Sequence, residues 1–409
     1  MRQTEVTIIG AGPAGMTAAL ILAKKDLPVT LVEKNSYPRD KVCGDCLGGY
    51  TLSVLKQIDE ALFERFVQFD KKREGFGVHF FGPQQQKVSV KAVNRIDQKI
   101  NEIALCKRID FDNFLMEEVR KYTHVEVIED TGVTNIVKFP EGLRLFSGEK
   151  AILKTKLAVI ATGSQQSLVY KLNGKRPARK HIAAGIRTYY KGISNLDDKG
   201  YIELHFLKEL APGYLWIFPL PGDLANVGLG LRSDIVAKRK LNLKEMLHGF
   251  IASSPYFKER FRDACQVTPF QGFPLALGGI RRSLSGDHYM LAGDAGNLIE
   301  PLFGEGIGHA MYSGKFAAEH AARCLACNDF SSKFNMQYDK SVYDKLGPTL
   351  RFSAQMQKIA GLPWLMEFLF NRVSKDPDLQ QLLYSIINGQ IPKTRRNGLS
   401  LISKLIFSQ

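Results

Sequence analysis

The chain has no uninterrupted apolar run of about 18 residues, so an ordinary transmembrane helix is excluded while attachment at a membrane surface is not. It opens without a charged leader followed by an apolar core, which argues for a cytoplasmic protein. Acidic residues are in deficit: 41 Asp and Glu against 56 Lys and Arg leave a formal charge of +15. Such an excess points to an anionic partner, a phosphorylated cofactor or a phospholipid surface. No nucleic-acid motif accompanies the basic clusters at 171–180, 238–240 and 393–396, so nucleic acid is not expected. Six cysteines include two C-x-x-C pairs, Cys43/Cys46 and Cys324/Cys327. The pairs lie far apart in the chain, not within the roughly 15–20 residues that separate the pairs of common zinc ribbons, so no metal site is expected. Cys324 and Cys327 fall in a helical pattern and read as small buried side chains one turn apart.

What is present begins at the first strand. Val6-Thr7-Ile8-Ile9 is an apolar run, and Gly10-Ala11-Gly12-Pro13-Ala14-Gly15 supplies a G-x-G-x-x-G turn directly after it. Gly10 permits the tight turn, Gly12 lets backbone approach a pyrophosphate, and Gly15 lets a helix over 13–25 lie close on the sheet with its positive end toward the phosphates. A second strand, Val29-Thr30-Leu31-Val32, ends at Glu33, whose carboxylate suits the two hydroxyls of an adenosine ribose. Strand, turn, helix, strand and acid thus arrive in the order of a dinucleotide-binding unit.

Three later segments fit a dinucleotide that is a flavin. Arg108 is placed to meet a phosphate or ribose at the start of a helix that Asp110 can cap. Ala161-Thr162-Gly163 follows a buried strand, as needed where the chain passes under the dinucleotide. Gly293-Asp294 ends another buried strand, with Asp294 set to accept from a ribityl chain. Gly304, Gly306 and Ile307 then open a helix whose amides suit the negative charge of a reduced flavin. There is no second glycine fingerprint for a nicotinamide nucleotide.

In Tyr214-Leu215-Trp216-Ile217-Phe218-Pro219 the alternation puts Tyr214, Trp216 and Phe218 on one face of a strand and Leu215 and Ile217 on the other. Strand patterns at 75–81, 182–190, 201–207, 214–219 and 225–231 predict an antiparallel sheet interrupting the nucleotide domain. The length of 409 residues is more than one compact core holds. The expected organisation is α/β (α+β): a Rossmann-like domain from 1–75, 96–175 and 285–350, an inserted sheet domain from 76–95 and 176–284, and a helical region from 351–409. The last region is apolar at 364–370 and 382–387, and its tail mixes basic and leucine-like residues in a way that suits an anionic membrane surface.

These segments resemble the flavoproteins grouped with para-hydroxybenzoate hydroxylase and, within them, the geranylgeranyl reductase family. The narrower likeness rests on Arg39-Asp40-Lys41-Val42-Cys43-Gly44, similar to the family's K-x-C-G segment, and on Tyr214 to Pro219 followed by Gly228-Leu229-Gly230. Pro212 stands one residue nearer Tyr214 than in the family pattern. The resemblance implies FAD, held also by Pro13, Ala14, Lys34, Arg39, Cys43 and Gly44, and a substrate wall of Tyr214, Trp216, Phe218, Pro219 and Gly228. It implies hydride transfer from reduced FAD to a carbon–carbon double bond of a polyprenyl lipid, geranylgeranyl-type or a quinone tail, with Cys43 near the flavin. For the proton that the other carbon needs, the resemblance points to Cys43, and Cys46 and Tyr214 are further candidates by location alone. The reductant is NAD(P)H docking transiently or a ferredoxin-like donor. Rival expectations on the same scaffold are an aromatic or polyketide monooxygenase, a halogenase, a dithiol oxidoreductase using Cys43 and Cys46, and a lipid-binding flavoprotein. The halogenase is disfavoured because its W-x-W-x-I-P segment is not matched.

Overall fold

The computed structural model describes residues 2–92, 103–174, 178–377 and 379–380. The apolar stretch 382–387, the basic cluster 393–396 and the rest of the tail lie outside the described residues. An eight-stranded sheet has at its centre five parallel strands in the spatial order Val125–Ile128, Val29–Val32, Arg2–Ile9, Lys150–Ile160, Tyr289–Leu291. The inner strands are apolar and buried on both faces, as a parallel sheet covered by helices requires. The helix Pro13–Ala23 buries ten of its eleven residues. It has no polar face because it is sandwiched between this sheet and the long helix Ile307–Cys327. Small residues set both distances: a Cβ on Gly15 would stand 1.9 Å from the carbonyl oxygen of Gly10, and one on Gly314 2.2 Å from that of Ala14.

The second sheet runs in the order Cys265–Gln266, Ile182–Lys191, Leu224–Arg232, Tyr214–Leu220, Ile202–His205, Gly77–Phe81, Lys87–Lys91, with Gln271–Ala276 also on Ile182–Lys191. It is antiparallel except at one seam, where Ile202–His205 pairs parallel with Gly77–Phe81. That exception corrects the expectation of a purely antiparallel sheet. Hairpins fix antiparallel order between chain neighbours, whereas Gly77–Phe81 joins from a distant segment and is free of that constraint. Gly75, expected in the same strand, belongs to Lys72–Gly75 of a small three-stranded sheet with Ile103–Cys106 and Cys46–Leu47. Leu215, Ile217, Val227 and Leu229 pack under the helices Leu243–Ser253 and Pro255–Arg260. The other face of the sheet looks back toward the nucleotide-type fold.

Two further expectations are corrected. Asp110 lies in the first turn of the helix Arg108–Arg120 and does not cap it. The Arg108 amide instead donates to Asp45 Oδ1 at 3.1 Å, so the cap reaches the helix through space from the C-G-D-C segment. Cys324 is buried but Cys327 is exposed, because the helix emerges from the core at its last turn.

Candidate active site

The two large sheets border one cavity of about 1080 Å³. That is at or above the upper end of ordinary small-molecule pockets, ~300–1,000 Å³, and leaves room for a dinucleotide and a second molecule. Nearly every residue singled out in the sequence lines it: Gly10, Gly12, Pro13, Ala14, Glu33, Lys34, Arg39, Cys43, Gly44, Cys46, Arg108, Ala161, Thr162, Gly163, Tyr214, Trp216, Phe218, Gly293, Asp294, Gly304, Gly306 and Ile307. Gly15, Pro219 and Gly228 do not. Gly15 serves helix packing. Pro219 is a buried strand residue paired with Ala225. Gly228 acts from behind the wall: a Cβ there would lie 2.2 Å from Trp216 Cζ2, so its bareness is what admits the indole.

The backbone at one end fits a bound dinucleotide. Gly10 takes φ +101°, with Ala161 O 2.5 Å from where its Cβ would be, so the strand-end crossing tolerates no side chain. A Cβ on Gly12 would meet nothing within 4 Å, which leaves open space above the start of the helix Pro13–Ala23. No side chain caps that helix or the helix Ile307–Cys327, so the first amides of both are available to an anion or carbonyl in the cavity. Glu33 is buried at the end of its strand; its Oε2 accepts the Ala11 amide at 2.7 Å and its Oε1 the Asn35 amide at 3.2 Å. Each oxygen keeps a lone pair for a ribose hydroxyl. Asp294 Oδ2 accepts from Ser164 Oγ at 3.1 Å and lies 3.4 Å from Lys41 Nζ, while Oδ1 turns toward Gly306.

Arg108, expected at a phosphate or ribose, and Arg39, expected at the cofactor, are both held by the protein's own groups. Arg108 is 2% exposed and grips Asp112 with two 2.7 Å bonds from Nε and Nη2. Arg39 Nη1 takes the same carboxylate at 2.7 Å, and its Nη2 reaches Ala11 O at 3.2 Å. Burial alone would raise the Asp112 carboxyl, but the two guanidiniums reverse this and hold it below the ordinary carboxylate range. Arg39 thereby braces the glycine turn, and Arg108 sets its guanidinium against the Cys43 sulfur.

The C-G-D-C segment is locked to the sheet by contacts that no sequence spacing announces. Asp45, fully buried and at φ +65°, accepts from Tyr189 Oη at 2.7 Å and Asn226 Nδ2 at 2.8 Å. Asn226 also donates to Cys43 O at 2.7 Å and accepts from Trp216 Nε1 at 2.8 Å. Burial pushes the Asp45 carboxyl up to about 6, against the pull of these hydrogen bonds. Arg187, 1% exposed, stacks over the Tyr189 ring at 4.3 Å and reaches Asp40 at 2.7 Å. Cys43 and Cys46 therefore sit on a braced loop at the junction of the two halves of the cavity. Burial pushes the Cys46 thiol well above its usual range. The Tyr214 hydroxyl, likewise pushed up by burial, donates to Phe303 O. Beyond this junction the wall is apolar: Trp216, Phe218, Val78, Phe80, Ile202 and Leu204. Asp45, Asn226 and Tyr189 escaped sequence reasoning because strand pairing joins the last two and Asp45 reaches them from a segment far away in the chain; Asp45, set between two cysteines, was the one visible signal.

Known proteins are similar to this chain in sequence and in fold. Residues 3–145 match the FAD binding domain model and residues 182–267 the geranylgeranyl reductase catalytic domain model. A digeranylgeranylglycerophospholipid reductase of Methanosarcina mazei is 31% identical over 356 residues, 85% of this chain and 83% of the relative; the enzyme of the same name from Methanocaldococcus jannaschii is 28% identical over 87% of both. In fold, the chain is similar to a geranylgeranyl bacteriochlorophyll reductase-like protein of Thermoplasma acidophilum, at TM-score 0.83 and 21% identity over 99% of this chain and 100% of that one. A flavin-dependent brominase shares the fold at TM-score 0.74 and 22% identity, covering 99% and 98% of the two chains. With 31% identity across most of its length and a flavin cradle continuous with an aromatic wall, this chain belongs to the geranylgeranyl reductase family of FAD-dependent oxidoreductases.

Proposed function

We propose that the protein reduces isolated carbon–carbon double bonds in the chain of a polyprenyl lipid. The observation that carries this is the continuity of one cavity from the glycine cradle, past the Cys43–Cys46 loop, to a wall of Tyr214, Trp216 and Phe218. A saturated head would have no use for the aromatic wall; an unsaturated hydrocarbon is matched to it in shape and polarity. The names of the archaeal relatives support a geranylgeranyl chain on a glycerophospholipid as the substrate class.

Bound FAD, once reduced, supplies a hydride. The protein's own residues do the rest. Gly10, Gly12 and the first amides of the helix Pro13–Ala23 would hold the pyrophosphate, Glu33 the adenosine ribose and Asp294 the ribityl chain. The amides of Gly306 and Ile307 favour negative charge at the ring. The apolar wall excludes water from a cation-like alkene that water would otherwise capture. Lys34, Thr162 and Gly163 line the cofactor end.

Such a substrate must leave a bilayer. Among the described residues no helix is long and apolar enough to cross one. The helix Pro363–Val373 packs Phe370 against Phe206 beside the apolar end of the cavity and turns Trp364, 67% exposed, and Phe368 outward. With Leu362 just before it, this is a surface on which a membrane can rest, reinforced by the basic charge of the chain. Incubating the dithionite-reduced protein with polyprenyl phospholipids under argon tests the reading: products heavier by two hydrogens support it, and unchanged lipid with every polyprenyl class tried opposes it.

A further inference from the structure

We propose that Glu305 is the proton donor of this reaction, its carboxyl giving a proton to one alkene carbon while hydride reaches the other. The inference rests on the alkene-reduction reading above. Glu305 lines the cavity in the turn that leads into the helix Ile307–Cys327, directly before the amides assigned to the cofactor ring. Its backbone carbonyl accepts the Glu300 amide at 2.8 Å, which fixes the turn. Bare backbone surrounds its carboxyl: a Cβ on Gly48 would lie 3.3 Å from Glu305 Oε1, and one on Gly308 2.8 Å from it. Oε1 has no accessible surface and no hydrogen-bond partner, while the residue as a whole keeps partial exposure and lines the cavity.

A polar atom left unpartnered in such a place costs free energy, and a charge there would cost far more. The neutral form is therefore favoured. Burial raises its carboxyl to about 7. The titratable groups around it are the Cys46 thiol, Tyr50 on the helix Gly49–Ile58, and Glu300 and His309 on its own segment and helix. Among the described residues no cation pairs with it.

Cys43 also lines the cavity, with the Arg108 guanidinium set against its sulfur, and the Glu305 variants below decide between the two; Tyr214, Cys46 and Asp45 are worse placed to give up a proton. Tyr214 already donates its hydroxyl proton to Phe303 O. The Cys46 thiol is held tighter still by burial. Asp45 has both oxygens engaged and does not line the cavity. In the step, the alkene π pair forms a C–H bond to the acid's proton, the O–H bond breaks, and its electron pair stays on the Glu305 carboxylate. Reduced FAD would supply the hydride that fills the cation-like carbon and would be oxidised in doing so. The carboxylate recovers its proton from water through the cavity mouth.

The test is anaerobic single turnover of reduced Glu305→Gln, Glu305→Asp and wild-type holoenzyme on the polyprenyl lipid across pH, with the protonated-carboxyl stretch followed by infrared spectroscopy. Because the acid must be protonated, wild-type turnover is expected to be full below about pH 7 and to fall as pH rises through it. Glu305→Gln should keep its FAD, lose about 100-fold in rate as expected for a missing general acid, and lose the carboxyl band that titrates near pH 7 in wild type while the Asp45 band near 6 remains. Glu305→Asp should keep part of the rate and the pH dependence. Glu305→Gln turning over within a few-fold of wild type, or a wild-type minus Glu305→Gln difference spectrum with no titrating carboxyl band, overturns the proposal. Should Glu305→Gln not retain FAD, pH-independent turnover in Glu305→Asp overturns it instead. Lipid left unreduced by wild type would sink the reductase reading, and the infrared titration would still decide the protonation of Glu305.

Discussion

The two walls of the cavity solve opposite problems by opposite means. The wall on the parallel sheet presents backbone: Gly10, Gly12, Gly293 and Gly306 strip side chains away so that amides and helix starts reach a charged ligand. The wall on the second sheet presents side chains: strand alternation sends Tyr214, Trp216 and Phe218 into the cavity and Leu215 and Ile217 into the core under the helices. Even glycine means different things on the two sides. Gly12 leaves space for a ligand, whereas Gly228 leaves space for Trp216. A change on the first wall should therefore cost cofactor, and a change on the second should cost turnover with cofactor retained.

The largest effect is expected from Gly10→Ala. A Cβ there meets the Ala161 carbonyl at 2.5 Å in a backbone region at φ +101°, where strain of ~1–3 kcal/mol adds to the clash. Purified protein should lose its flavin absorbance and melt earlier; normal FAD content would break the distinction between the walls. Gly228→Ala comes next. With Trp216 Cζ2 2.2 Å from the new methyl, the indole must leave its place and its bond to Asn226, so turnover should drop while FAD content stays normal. Unchanged kcat/KM would show that the aromatic wall is only core packing.

Asp45 belongs to the seam between the walls, and its effect is on stability. Its carboxyl is raised from 3.8 to about 6 in the folded protein, so the folded state binds more protons than the unfolded one between those values. Stability from this group is thus greatest at low pH and falls as pH rises through that window, by on the order of 3 kcal/mol for a shift of about two pKa units. Thermal melts of Asp45→Asn should lose that part of the pH dependence; melting curves parallel to wild type from pH 4 to about 7 would contradict it. The smallest effect is predicted at the surface. Trp364→Asp should weaken binding to anionic vesicles and change the melting temperature little, since exposed substitutions usually stay within about 0.5 kcal/mol. Undiminished vesicle binding would remove this helix from the membrane contact.

The first wall was legible in the sequence because its chemistry is local. A fingerprint of six residues sets the turn, the helix start and the phosphate site together, and Glu33 follows one strand later. The aromatic face was legible for the same reason, since alternation is a nearest-neighbour property. What stayed hidden is the seam. Asp45, Tyr189, Asn226 and Trp216 converge from four segments: strand register joins the last three, as Leu224–Arg232 pairs with both Ile182–Lys191 and Tyr214–Leu220, and Asp45 reaches them from the C-G-D-C loop. Arg108 was found but its partner was not: a lone arginine before a helix gives no sign that an aspartate one turn on will hold it. The parallel seam of the second sheet was missed because alternation reports a strand's faces and not its neighbour's direction.

The most direct test of the central account is to photoreduce the purified holoprotein under argon, add a polyprenyl phospholipid, and follow the visible flavin band while weighing the lipid. Reoxidation without oxygen, with two hydrogens gained on the chain, is the predicted result. Reoxidation only when oxygen is admitted, with an oxygen atom appearing in a product, would contradict it and make the protein a monooxygenase.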